Sequence, residues 1–216
     1  MTHPEFQRLQ QELKKRHDFP YRWFRKQNDQ WDAFSNFIYQ TETWEKLQNQ
    51  IFFISKTEQL SKTEFFQYAI NRWYNFHSAK AVESIFKNSD KVHSVLNTKD
   101  REKDFYLSGI PFDHKTSIFP KGFGRDFDYA QENKKELISW FYQNQSSQKR
   151  FHLKNRLFVV VYNEHGDHWK LKAELWLLKM EIDNYLNSFS PDQLLTISLQ
   201  NENPKSDIIW IRGNLY

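Results

Sequence analysis

The sequence predicts an α/β fold, on three observations. Residues 104–119 have strand-like composition with a tight-turn signal at Ser108 and Gly109, residues 131–144 have helical spacing, and Arg156 to Tyr162 is a continuous apolar run. A strand, a helix and a strand buried on both faces form a crossover unit, so the strands over 113–119 and 156–162 are expected to lie parallel in one sheet.

The elements follow in chain order. Phe6, Leu9, Gln10 and Leu13 recur at helical intervals over Glu5 to Arg16, and Pro20 ends that helix. Trp31, Phe34, Phe37, Ile38, Trp44 and Leu47 predict a second helix from Asp29 to Asn49. Ser61 and Glu64 have capping-box spacing and open a helix carrying Phe65, Ala69 and Trp73, with a restart expected at Ser78 for the stripe Ala79, Val82, Ile85 and Phe86. After a polar stretch, Asn88 to Lys103, comes the hairpin, closed at Pro120, which lacks the N–H a ladder requires. A last helix is expected from Leu171 to Asn187, followed by two edge strands, Leu194 to Leu199 and Asp207 to Ile211. The expected organisation is a helical N-terminal region over residues 1–60 and an α/β core over 61–216.

Composition narrows the class. The 216 residues contain no cysteine, which excludes disulfides, thiolate zinc sites and a thiol nucleophile. Twenty Phe, ten Tyr and eight Trp argue against disorder. The longest apolar stretch, Leu157 to Tyr162, is far short of the ~18 to 20 residues of a membrane span, and Met1 to Gln11 is too polar for a signal peptide, so a cytoplasmic, membrane-free protein is expected. A net charge of +4 is too small to call a polyanion partner by itself. The densest basic stretch, Lys14, Lys15, Arg16, Arg22, Arg25 and Lys26, alternates with Phe19, Tyr21, Trp23 and Phe24, a pattern suited to gripping phosphates and stacking bases as well as to core packing with a charged rim.

The chemistry concentrates in the hairpin. With Ser108 and Gly109 as the two turn residues, Asp104 faces Asp113 across the ladder, and Lys115, two residues on, projects from the same side. Like charges directly opposite each other destabilise a sheet, and a divalent cation between them removes the conflict. Magnesium or manganese suits such a site, since magnesium takes hard oxygen ligands and is commonly held by one or two carboxylates plus substrate phosphate. The competing explanation is a solvated sheet face with Lys115 neutralising two ordinary acids. Glu83, on the helix edge beside Val82 and Phe86, is placed to join the pair if it points inward.

These residues resemble the PD-(D/E)XK nuclease superfamily, whose core has a helix with an acidic residue, an Asp near the second strand and Asp/Glu-x-Lys on the next. In this likeness Asp104 stands for the first Asp, Asp113-His114-Lys115 for the Asp-x-Lys, and Glu83 for the helix carboxylate, over roughly residues 62 to 165. Lys103 stands where the superfamily name has proline. The resemblance implies a restriction-endonuclease-like mixed sheet flanked by helices. It also implies hydrolysis of DNA with Mg2+ or Mn2+ by Glu83, Asp104, Asp113 and Lys115, and a homodimer if both strands are cut. By analogy it suggests a role in restriction or phage defence. The alternative is a non-catalytic nucleic-acid-binding module that keeps the fold.

Other signals are weaker. Glu164, His165, Asp167 and His168 crowd one turn and read as loop chemistry rather than a metal site. Gly122 and Gly124 lack the Gly-Lys-Ser/Thr ending of a phosphate loop, and no Gly-x-Ser-x-Gly occurs.

Overall fold

A computed structural model describes residues 2–27, 29–94, 103–144, 154–199 and 202–215. The chain divides into two compact units, Met1–Ala81 and Val82–Tyr216, and the division falls inside a long helix rather than at residue 60.

The regular elements of the first unit are all helical among its described residues: α1 (His3–Lys14), α2 (Gln30–Phe34), α3 (Trp44–Thr57) and most of α4 (Lys62–Lys87), with 3-10 turns at Lys15–Asp18 and Asn36–Tyr39. The Thr2 N–H donates to the Glu5 carboxylate at 2.7 Å and starts α1 with a capping box. The single helix expected over residues 29–49 is broken into three pieces. Its carbonyls are claimed by side chains of α4: Arg72 donates to the Asp32 carbonyl at 2.7 Å, Trp73 to that of Thr41 at 2.7 Å, and His77 lies 3.0 Å from that of Ile38. Tertiary bonds of this kind compete with the i to i+4 ladder. Asp29 and Thr43 then cap the separate pieces.

No restart occurs at Ser78. Its hydroxyl bonds back to the Asn75 carbonyl at 3.3 Å, which leaves the helical ladder intact. The core of the unit is aromatic: Trp31 meets Phe65 and Tyr68 edge-on at 5.5 Å each, and Trp44 meets Trp73 at 5.7 Å. Each such pair adds about 0.5–1.5 kcal/mol beyond burial.

The second unit holds a six-stranded mixed sheet among its described residues, flanked by helices. Its strands are β1 (Val92–Ser94), β2 (Phe105–Leu107), β3 (Ile110–Ile118), β4 (Arg156–Asn163), β5 (Leu195–Thr196) and β6 (Lys205–Gly213), in spatial order β1-β2-β3-β4-β6-β5. The first three form an antiparallel meander, and β3, β4 and β6 run parallel. The parallel β3–β4 pair is the crossover the sequence predicts. Its connection contains α5 (Phe127–Glu132) and α6 (Lys134–Asn144), two helices where one was expected. Phe127, Leu137, Ile138 and Phe141 from these helices pack on Phe158, Val160 and Ile208 of the sheet. The final helix α7 (Leu175–Ser188) follows a 3-10 segment, His168–Ala173, which takes the first turn of the helix expected from Leu171.

Two strands differ from expectation. β1 arises within the polar stretch after Asn88, where three residues carry too little pattern to be seen; residues 95–102 of that stretch lie outside the described residues. β6 is an interior strand rather than an edge, lying between β4 and β5, because Ile208, Ile209 and Ile211 are buried on both of its faces. Asp207 is tolerated there at 1% exposure because Lys134 (2.7 Å), Tyr185 (3.2 Å) and Gln193 (3.1 Å) all donate to it. Among the described residues, no helix is long and apolar enough to cross a membrane.

Candidate active site

The β2–β3 turn sets the site. Ser108 (φ 48°) and Gly109 (φ 76°) both adopt positive φ, as a two-residue turn that follows the twist of its strands requires. The register is the one read from sequence: Leu107 pairs with Ile110 and Phe105 with Phe112. One residue beyond, β3 changes partners. The Asp104 N–H still donates to the Phe112 carbonyl at 2.8 Å, whereas the Asp113 N–H donates to the Asn155 carbonyl at 3.0 Å, where the parallel pairing with β4 begins. Asp104 and Asp113 therefore lie where the antiparallel and parallel halves of the sheet join.

The two carboxyl groups interact electrostatically with each other. Asp104 Oδ2 accepts from the His114 backbone N–H at 2.9 Å and lies 2.6 Å from His114 Nδ1. Asp113 Oδ2 accepts from Arg156 Nε at 2.9 Å. The two acids are driven apart electrostatically. Burial, together with the Asp104 charge, pushes the Asp113 carboxyl up despite Arg156. Burial also works against Asp104, but the His114 contacts prevail and hold it below its usual value. Each acid thus commits one oxygen to a protein N–H.

Lys115 follows on the face of Asp113 and pairs in register with Phe158. Its ammonium is pushed down by burial and by the Arg156 charge, with Asp113 opposing. It makes no hydrogen bond or ion pair to the described residues. The His114 ring, on the other face of β3, packs 5.4 Å from Phe86 and 6.3 Å from Phe105, which fixes the group that orients Asp104.

Glu83 is not drawn into this cluster. It forms an ion pair with Lys87 one turn along α4, while Val82 and Phe86 take the buried positions beside it. No hydrogen bond or ion pair among the described residues links it to Asp104 or Asp113.

Of the basic stretch, only part is surface. Arg16 is fully buried, donating to Asn71 Oδ1, to the Phe19 carbonyl at 2.6 Å and to the Pro20 carbonyl at 2.9 Å, and burial pushes its guanidinium down to about 10. From that position it cannot reach a phosphate, which corrects its assignment as a nucleic-acid contact. Lys15 pairs with Glu12, Arg25 pairs with Asp29 and lies over the Trp31 ring, and Arg22 lies over Phe24. Lys14 is half-buried at the end of α1, and Lys26 is exposed.

Three further residues belong to the setting. His114 is the unspecified middle letter of Asp-x-Lys, so no pattern could mark it. Arg156 heads the apolar run that forms β4, and placing that run parallel to β3 would have set it opposite Asp113. Lys172, in the 3-10 segment before α7, is pushed down to about 8 by burial and by the Lys115 charge. Only spatial proximity reveals it.

Among the described residues, no group of three or more His, Asp or Glu side chains is arranged to hold a metal ion. The donor set is two hard carboxylates, each with a second oxygen that no N–H of the described residues occupies. Such a pair does not make an all-protein cage, but it fits Mg2+ or Mn2+ completed by water and substrate oxygens. Compared with known protein families, curated proteins and solved structures, the chain finds no match.

Proposed function

We propose that this chain is a nuclease that hydrolyses phosphodiester bonds in DNA with Mg2+ or Mn2+. The observation that carries the reading is the Asp104–Asp113 pair, desolvated at a strand junction with the Lys115 ammonium beside it. Two interacting like charges, each half-buried, are costly without a cation to share. The order of elements, a helix, an antiparallel meander, a helical crossover and a parallel strand, supports a restriction-endonuclease-like core and agrees with the PD-(D/E)XK resemblance.

In this reading Asp104 and Asp113 hold the cation, which would supply Lewis acidity toward a phosphoryl oxygen. Lys115 holds the attacking water or offsets charge on the phosphoryl oxygens as water adds to phosphorus and the ester P–O bond breaks. His114 keeps Asp104 ionised and oriented. Glu83 has a role only if its pair with Lys87 opens. Cleavage of both strands would call for two copies of the chain.

The test uses plasmid and single-stranded DNA with Mg2+, Mn2+ or EDTA, and the variants Asp113→Ala and Lys115→Ala. Cleavage should require the metal, vanish in Asp113→Ala and fall by about 10²–10³-fold in Lys115→Ala, the usual cost of one electrostatic donor. Cleavage that persists in EDTA or in both variants would rule the site out. A second reading has its own observation: His114 and Arg156 already engage the two acids from within, as in a binding module without turnover. DNA binding without cleavage in any metal selects that reading.

A further inference from the structure

We propose that Arg156 is a further substrate-contacting residue of this site, its outer guanidinium nitrogens receiving a phosphate of the nucleic acid; the inference rests on the nuclease reading above. Arg156 stands at the head of β4, in register with Asp113. Its Nε donates to Asp113 Oδ2 at 2.9 Å, and its guanidinium lies 5.5 Å from the centre of the Tyr142 ring. That ring is itself anchored, since the Tyr142 hydroxyl donates to the Lys154 carbonyl at 2.6 Å and lies 2.7 Å from Ser206 Oγ. The fork is held on one side by a carboxylate and supported by an aromatic surface.

The unspent donors carry the inference. A guanidinium has five N–H groups, and the Asp113 contact uses only the one on Nε. Nη1 and Nη2 make no hydrogen bond to the described residues, and neither is among the buried atoms left without a partner, so neither is sealed from solvent. The side chain is nonetheless only 14% exposed. An arginine serving only to clamp Asp113 would gain most by engaging both carboxylate oxygens with two parallel N–H bonds. Here the contact is single, and the free end of the fork is the geometry that takes a phosphate in bidentate fashion. Lys115 lies close enough to feel the Arg156 charge and likewise makes no hydrogen bond to the described residues. Once a divalent cation balances Asp104 and Asp113, these two cations are left to be matched by an anion. A phosphodiester backbone beside the scissile bond supplies it.

The test measures single-turnover cleavage, with Mg2+, of a short DNA duplex carrying one neutral methylphosphonate linkage, moved stepwise along the strand around the cleaved bond. Wild type, Arg156→Gln and Arg156→Lys are compared, with thermal melting as the check on folding. One linkage position should slow wild type roughly tenfold or more, as loss of a charge-assisted pair does. Arg156→Gln should be slowed similarly on unmodified duplex and show no further loss at that position. Arg156→Lys, which keeps the charge and loses the fork, should fall between; if the Gln variant does not fold, the same scan on the Lys variant decides. A purely structural arginine gives additive losses at every linkage, and that result, or an unimpaired Arg156→Gln, overturns the inference while leaving the nuclease reading intact. Wild type that cleaves with neither Mg2+ nor Mn2+ overturns both.

Discussion

Replacing Gly109 with Val tests whether the hairpin register that builds the site is set by the turn or by the core. Gly109 has φ 76°, and a Cβ placed there meets nothing within 4 Å, so the cost is backbone strain alone. Left-handed backbone costs an L-residue roughly 1–2 kcal/mol, and a β-branched one lies at the upper end. The chain could escape the strain by slipping the pairing one residue, but a slip turns every side chain of β2 to the opposite face. Phe105 and Leu107, at 0% and 1% exposure, would leave the core at about 1.5–3 kcal/mol each, roughly 3–6 kcal/mol together. The core therefore outweighs the turn. Gly109→Val should lose about 1–2 kcal/mol in urea unfolding, and single-turnover cleavage should stay within a few-fold of wild type, because the kept register leaves Asp104 and Asp113 at the strand junction. A variant that unfolds with unchanged midpoint, or that stays folded and loses cleavage entirely, refutes the reasoning.

Three other outcomes are expected. Mg2+ should raise the melting temperature of wild type, by the equivalent of about 1.4 kcal/mol at a concentration some tenfold above Kd, and not that of Asp113→Asn. In EDTA the Asn variant should be no less stable than wild type, because burial and Asp104 already disfavour the Asp113 charge; a clear loss of stability there contradicts the like-charge account. Arg16→Met leaves Asn71 Oδ1 and two carbonyls without their donor, at about 1–3 kcal/mol per unsatisfied group, whereas the exposed Lys26→Ala should change stability by less than about 0.5 kcal/mol and weaken DNA binding in low salt. Equal effects of the two on DNA affinity, with both folded, would speak against an interior role for Arg16. Finally, burial pushes the His77 imidazole down, against the pull of the Ile38 and Thr41 carbonyls, so the unfolded chain binds its proton more readily. The stability His77 contributes is full above its unfolded value near pH 6.5 and is lost as pH falls below it. Urea midpoints between about pH 7 and 5 should drop in wild type and flatten in His77→Gln; an unaltered slope assigns the effect elsewhere.

The sequence alone determined what depends on near neighbours. The turn at Ser108 and Gly109, the register from Phe105 and Phe112 to Leu107 and Ile110, the capping signal at Ser61 and the apolar run of β4 all follow from local backbone preference and side-chain alternation, and each stands in the structure where the sequence puts it, whereas Asp113, expected opposite Asp104, is registered with Arg156 of β4. Tertiary structure decided everything that rests on a partner far along the chain. It broke the helix over residues 29–49, because Arg72, Trp73 and His77 take its carbonyls, and it moved β6 from edge to interior. It sent Arg16 inward to Asn71, kept Glu83 on Lys87, and brought Arg156 and His114 to the two acids. A charge in sequence has no visible environment. Whether it is paired, buried or left free for a ligand is set by desolvation and by which distant groups arrive beside it, and those are properties of the folded chain.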